Sequence, residues 1–90
     1  MKPEIKQKWT AALRSGRYLQ GKQRLQHDGK FCALGVLCAL FGRVPRGGII
    51  PDHILKWSGL KYGEARAVES LNDRHEESFD QIANFIEGEL

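Results

Sequence analysis

Residues Phe31 to Phe41 read FCALGVLCALF, eleven apolar or glycine residues without a charge, in a chain whose residues are 28% charged. Such a run is stable only where water is excluded, so the rest of the chain has to be arranged around it. Its length exceeds an ordinary strand, it is rich in Ala and Leu, and Gly42 follows it; these features predict a buried helix. A central strand is disfavoured by Gly35 in its middle and by a single β-branched residue, Val36. On a 3.6-residue wheel Leu34, Leu37 and Phe41 share one face while Ala33, Val36 and Leu40 share another, so both faces need covering. A membrane span needs about 20 apolar residues, and Arg43 and Arg46 follow this run too soon.

Ninety residues suffice for one domain, 1–90, that buries roughly 60% of its unfolded surface and folds without a covalent staple. Both cysteines, Cys32 and Cys38, lie inside the apolar run. On one helix their α-carbons stand about 9 Å apart, beyond the reach of a disulfide at about 7 Å, so free thiols are expected. Free thiols suit a reducing compartment, and Met1 to Lys8 lacks the apolar core of a signal peptide. The expected location is therefore the cytoplasm.

The first helix is predicted from Pro3-Glu4, which suit a helix start, through the stripe Ile5, Trp9, Ala12 and Leu13, to a stop at Gly16. Asp28-Gly29 between short runs predicts a ribbon pairing Arg24 to Gln26 with Lys30 to Cys32. Two prolines and three glycines mark 42–51 as a loop. A short helix is expected over Asp52 to Trp57, and another around Ala65, Val68 and Leu71 ending at Asn72-Asp73. Ser78, with Gln81 completing a capping box, starts the last helix, which carries Phe79, Ile82, Ala83 and Ile86 to about Glu87. The fold class is therefore α+β, mainly helical: a buried central helix, about four other short helices and a small β-ribbon. Trp9, Phe31, Leu34, Leu37, Leu40, Phe41, Leu55, Trp57, Leu71, Phe79, Ile82 and Ile86 form the expected core.

Net charge is +3, but its distribution is uneven. Residues 1–45 hold nine Lys and Arg against two acids, for +7, and residues 46–90 hold five against nine, for −4. Arg14, Arg17, Lys22, Arg24 and Lys30, with Tyr18 among them, are the candidate nucleic-acid-binding residues, since clustered cations neutralise phosphates and an aromatic stacks on a base. A solvated face on a loop and ribbon with ordinary Lys and Arg content accounts for the same residues more simply, since no RNP pattern, zinc spacing or KH-type GXXG accompanies them. The last two helices do not suit a helix-turn-helix, because the second carries Asp80, Glu87 and Glu89 with no cation to meet phosphates. Cys32 and Cys38, with five residues between them in an apolar helix, have sulfurs about 120° apart, which fits core packing rather than zinc or thiolate chemistry. Asp73, Glu76, Glu77 and Asp80 surround a helix start, where acids are favourable charges. No catalytic residues, metal or cofactor are predicted.

Three blocks, Trp9-x-x-Ala12-Leu13-Arg14-Ser15-Gly16, Phe31-Cys32-x-Leu34-Gly35-Val36-Leu37-Cys38, and Leu71-Asn72-Asp73 followed by Ser78-Phe79-x-x-Ile82-Ala83-x-x-Ile86-Glu87, occur in this order. In these the chain resembles a group of small uncharacterised proteins met in bacteriophage, prophage and environmental sequences. The resemblance implies a phage-associated accessory protein, acting in the host cell cytoplasm, and no particular reaction. The leading expectation is a non-catalytic interaction protein that binds a host protein or itself. The second is a weak, sequence-tolerant nucleic-acid binder using the basic amino-terminal half; no membrane partner is expected.

Overall fold

The computed structural model describes residues 1–90, which form five helices and a three-stranded sheet in the order α1 (Pro3–Arg14), β1 (Leu19–Gln20), β2 (Gln26–His27), β3 (Lys30–Phe31), α2 (Ala33–Phe41), α3 (Asp52–Ser58), α4 (Tyr62–Asp73) and α5 (Phe79–Glu89). The fold is α+β and mainly helical. No helix is long and apolar enough to cross a membrane.

The apolar run is the centre of the molecule. Cys32 to Cys38 is an unbroken buried stretch, and Trp9, Leu13, Ile54, Val68, Ile82 and Ile86 close on it from the other four helices. α1 lies against α2 and α5, and α4 against α2 and α5. Trp9 is fully buried and its indole N–H donates to the carbonyl of Ala33 at 2.9 Å, so the largest core side chain is also oriented by a polar contact.

The helix is shorter than the run by two residues. Phe31 is drawn into the sheet and Cys32 becomes the N-cap, its Sγ accepting from the Gly35 N–H at 3.4 Å. At the other end the helix runs out of the interior. Leu40 is half-buried and Phe41 is 41% exposed, which corrects the placement of Phe41 in the core; Cys38 is the last fully buried residue of α2. Trp57 is half-buried: it packs against the core from its margin and also meets the exposed Phe41 ring at about a right angle. Phe31, Leu40 and Leu71 line the core's margin, whereas Leu25, Ile50, Ile54 and Leu60 fill positions inside it.

Asp28 and Gly29 both adopt positive φ, 52° and 76°, the conformation a two-residue hairpin turn demands. The ribbon is tighter than the sequence suggests, pairing Gln26 with Phe31 and His27 with Lys30. A third strand, β1, adds parallel to β3, with Leu19 opposite Lys30 and Gln20 opposite Phe31. Two residues long, β1 carries too short a pattern to be visible in sequence.

Asn72, expected only as a helix stop, is a buried junction. Its Oδ1 accepts from the backbone N–H of Ala33 at 3.2 Å and from the Gln20 amide at 3.0 Å. Its Nδ2 donates to the Gly21 carbonyl and to Asp73 Oδ1, both at 2.9 Å. The Ala33 N–H is one of the donors a helix start leaves without an intrahelical partner, and α4 supplies the acceptor. Ser78 and Gln81 form the expected reciprocal capping box at the start of α5.

Candidate functional site

The basic residues singled out in the sequence separate into three places. Arg14, at the last turn of α1, is taken up by α5: Nη1 donates to Glu87 Oε2 and Nη2 to Asn84 Oδ1, each at 2.7 Å. The hydrogen bond with Glu87 raises the Arg14 pKa further and holds the Glu87 carboxyl below its usual value. Arg14 is thus a strap between the two helices.

Lys22, Arg24 and Lys30 do come together, around the ribbon. With Gly21, His27 and Asp28 they line a depression of about 160 Å³. Arg24, His27 and Asp28 also line the next one, of about 430 Å³, where Arg46 from the loop after α2 joins them. The field there is moderated by acids. Lys22 is ion-paired with Glu76, whose carboxyl is held below its ordinary range by that hydrogen bond, and His27 stands 3.3 Å from Asp28. A separate cleft of about 480 Å³ on α4 mixes Arg66 and Arg74 with Glu69 and Asp73, offering no dominant sign of charge.

Arg17 and Tyr18 face elsewhere. With Lys8, Ala11, Ala12, Ser15 and Leu40 they line a groove of about 380 Å³ between α1 and the end of α2. Tyr18 is half-buried and meets Phe31 edge to face, ring centroids 5.1 Å apart. That contact fixes the ring as part of the groove wall. At the emerging helix end, Phe41 lies 5.2 Å from Trp57 and 5.3 Å from His53 between ring centroids, a cluster of three rings partly open to solvent. Lys8, Arg46, Phe41, His53 and Trp57 were not among the predicted site residues. For Phe41 and Trp57 the only available signal, their size and apolarity, pointed inward.

The two thiols are set apart from all of these features. Burial raises Cys32 to about 11 and, together with the nearby Cys32, raises Cys38 to about 12. Both are free and buried, so the thiolate is suppressed where a nucleophile or soft-metal ligand would need it. No group of three or more His, Cys, Asp or Glu side chains is placed to hold a metal ion.

A family model described as a domain of unknown function, DUF8296, matches residues 1–47. The chain belongs to this family. The DUF8296 match takes in α1, the whole sheet and α2, which are the elements that build the Tyr18 groove and carry Phe41. It ends before α3, α4 and α5, which supply Trp57, Asn72 and the wall covering α2. No curated protein and no solved structure matches the chain.

Proposed function

We propose that this DUF8296 protein is a non-catalytic interaction protein, a phage-associated accessory factor that binds a host protein in the host cytoplasm. One observation carries the reading: the core helix leaves the interior in its last turn, where half-buried Leu40 shares a groove with Tyr18 and exposed Phe41 meets the rings of Trp57 and His53. A lone apolar residue at a helix end is ordinary, whereas apolar residues grouped with aromatic neighbours mark a contact surface. Here the helix ends in a leucine and a phenylalanine, backed by the aromatic types that dominate binding energy at protein interfaces. The phage association and the host location rest on the resemblance of the three sequence blocks. The test is capture from host lysate on immobilised protein, with and without nuclease. The expected result is a protein retained through nuclease treatment and lost with Phe41→Ser.

A second reading is supported by the convergence of Lys22, Arg24 and Lys30 on one depression with Arg46 beside it. These cations suit the phosphates of a single-stranded nucleic acid bound without base readout. In the same experiment this reading gives capture abolished by nuclease and by Arg24→Ala with Lys30→Ala, and unaffected by Phe41→Ser.

A further inference from the structure

We infer that the groove between α1 and the end of α2 receives an acidic segment of the partner protein, which seats an apolar side chain against Leu40 and Tyr18 and places its carboxylates on Lys8 and Arg17. The inference rests on the partner-binding reading and names the chemistry of what is bound. The groove has a volume of about 380 Å³, within the range of about 300–1,000 Å³ usual for ligand clefts, and its floor is the apolar surface of Ala12, Tyr18 and Leu40.

Its rim is cationic and uncommitted. The acids of the carboxy-terminal half engage Arg14 and Lys22, through Glu87 and Glu76, and His27 stands beside Asp28; neither Lys8 nor Arg17 is in an ion pair. Both are exposed. The Tyr18 hydroxyl has no hydrogen-bond partner within the chain, unlike that of Tyr62, which accepts from Arg66. One free ammonium, one free guanidinium and a free phenol around an apolar floor fit alternating carboxylates and hydrophobes. They do not fit a neutral or basic segment. A nucleic acid would find phosphate partners here, but the floor is apolar.

The test is a heteronuclear NMR titration of the full chain with a short synthetic peptide of Glu, Leu and Phe, blocked at both ends. Its counterparts carry Gln or Lys in place of Glu. The expected result is shifts centred on Lys8, Ala12, Arg17, Tyr18 and Leu40, with affinity about tenfold weaker for the Gln peptide and for the Lys8→Glu, Arg17→Glu variant. Both substituted side chains are exposed, so the variant keeps the fold, which its own spectrum verifies. The variant is further expected to prefer the Lys peptide, a reversal that lost folding would not produce. Equal binding of the Glu and Gln peptides overturns the inference, as do shifts centred on the ribbon or shifts at the groove that follow protein concentration without peptide. Absence of shifts at millimolar peptide also overturns it. If host-protein capture then still depends on Phe41, only the groove assignment has failed; if capture fails as well, the partner-binding reading goes with it.

Discussion

A methyl group placed on Gly35 would stand 1.8 Å from the carbonyl oxygen of Leu25. The backbone of Leu25 lies directly on the core helix at that point. Leu25 is held there from the far side as well, its N–H donating to the Gly47 carbonyl at 2.9 Å. Neither neighbour is the flexible end of a side chain, so neither can step aside. Gly35→Ala is expected to cost at least about 3 kcal/mol or to prevent folding, at the severe end of overpacking. Urea denaturation followed by Trp fluorescence measures it, and a loss under about 1 kcal/mol would show that the Leu25 backbone is not clamped.

Asn72 ties α4 to the start of α2 and to the β1 segment through three hydrogen bonds, with Ala33, Gln20 and Gly21. Replacing it with Ala leaves the Ala33 N–H and the Gly21 carbonyl without these partners. The expected loss is about 2–4 kcal/mol, made up of a buried donor, a carbonyl and a small cavity. Asn72→Asp keeps the acceptor but loses both donors, and places a carboxylate beside Asp73. It is expected to be no better than Ala at neutral pH and to recover partly on acidification, which a stability series in pH would reveal.

How far these relationships can be read from sequence follows from their range. The hairpin turn at Asp28-Gly29, the capping box at Ser78 and the central helix are set by neighbours within a few residues, and composition reports them. The contact of Leu25 with Gly35 and the reach of Asn72 to Ala33 join distant parts of the chain. A glycine in an apolar run and an asparagine at a helix end have ordinary local explanations, so nothing flags them. The candidate site was less legible still. Lys22, Arg24 and Lys30 meet because of the hairpin, but Arg14 is removed by Glu87, a residue 73 positions away. Phe41 reads as core by every sequence criterion, yet at the end of α2 its ring meets Trp57 and His53 of α3 and stays 41% exposed.

That exposure separates stability from binding at two positions on one helix. Leu37→Ala empties a fully buried site and is expected to cost about 2–5 kcal/mol. Phe41→Ser removes a partly solvated ring and is expected to cost under about 1.5 kcal/mol while abolishing host-protein capture. Parallel urea curves and capture assays on the two variants decide the matter. Equal destabilisation would return Phe41 to a structural role.

The carboxyls of Glu76 and Glu87 are both held below their ordinary value by hydrogen bonds from Lys22 and Arg14. A depressed folded pKa contributes stability that is present above the unfolded value, near 4.5, and is lost as pH falls through the lower folded value. Stability is therefore expected to decline below about pH 4.5. Because both pairs are exposed, the effect is small and screened by salt. The Glu76→Gln, Glu87→Gln variant is expected to show a flatter acid limb in thermal melts at low ionic strength, and an unchanged limb would show that other carboxyls control it.

The thiols give the opposite sign at the alkaline end. Burial raises Cys32 from an unfolded value of 9.0 to about 11 and Cys38 to about 12, so the folded state retains protons that the unfolded state releases. Their contribution is complete below about pH 9 and is lost progressively as pH rises towards the folded values. Cys38 is fully enclosed and Cys32 nearly so, which also makes both poor targets for a thiol reagent in the native protein. With a disulfide reagent at pH 8, labelling is expected to be limited by opening of the fold, with its rate rising in urea in step with the unfolded population. The Cys32→Ala, Cys38→Ala variant is expected to lose the part of the alkaline decline that begins near pH 9, although it will be less stable at neutral pH from lost packing. Rapid labelling of either thiol without denaturant would place that sulfur at a surface opening and would reverse the assignment of both residues to packing.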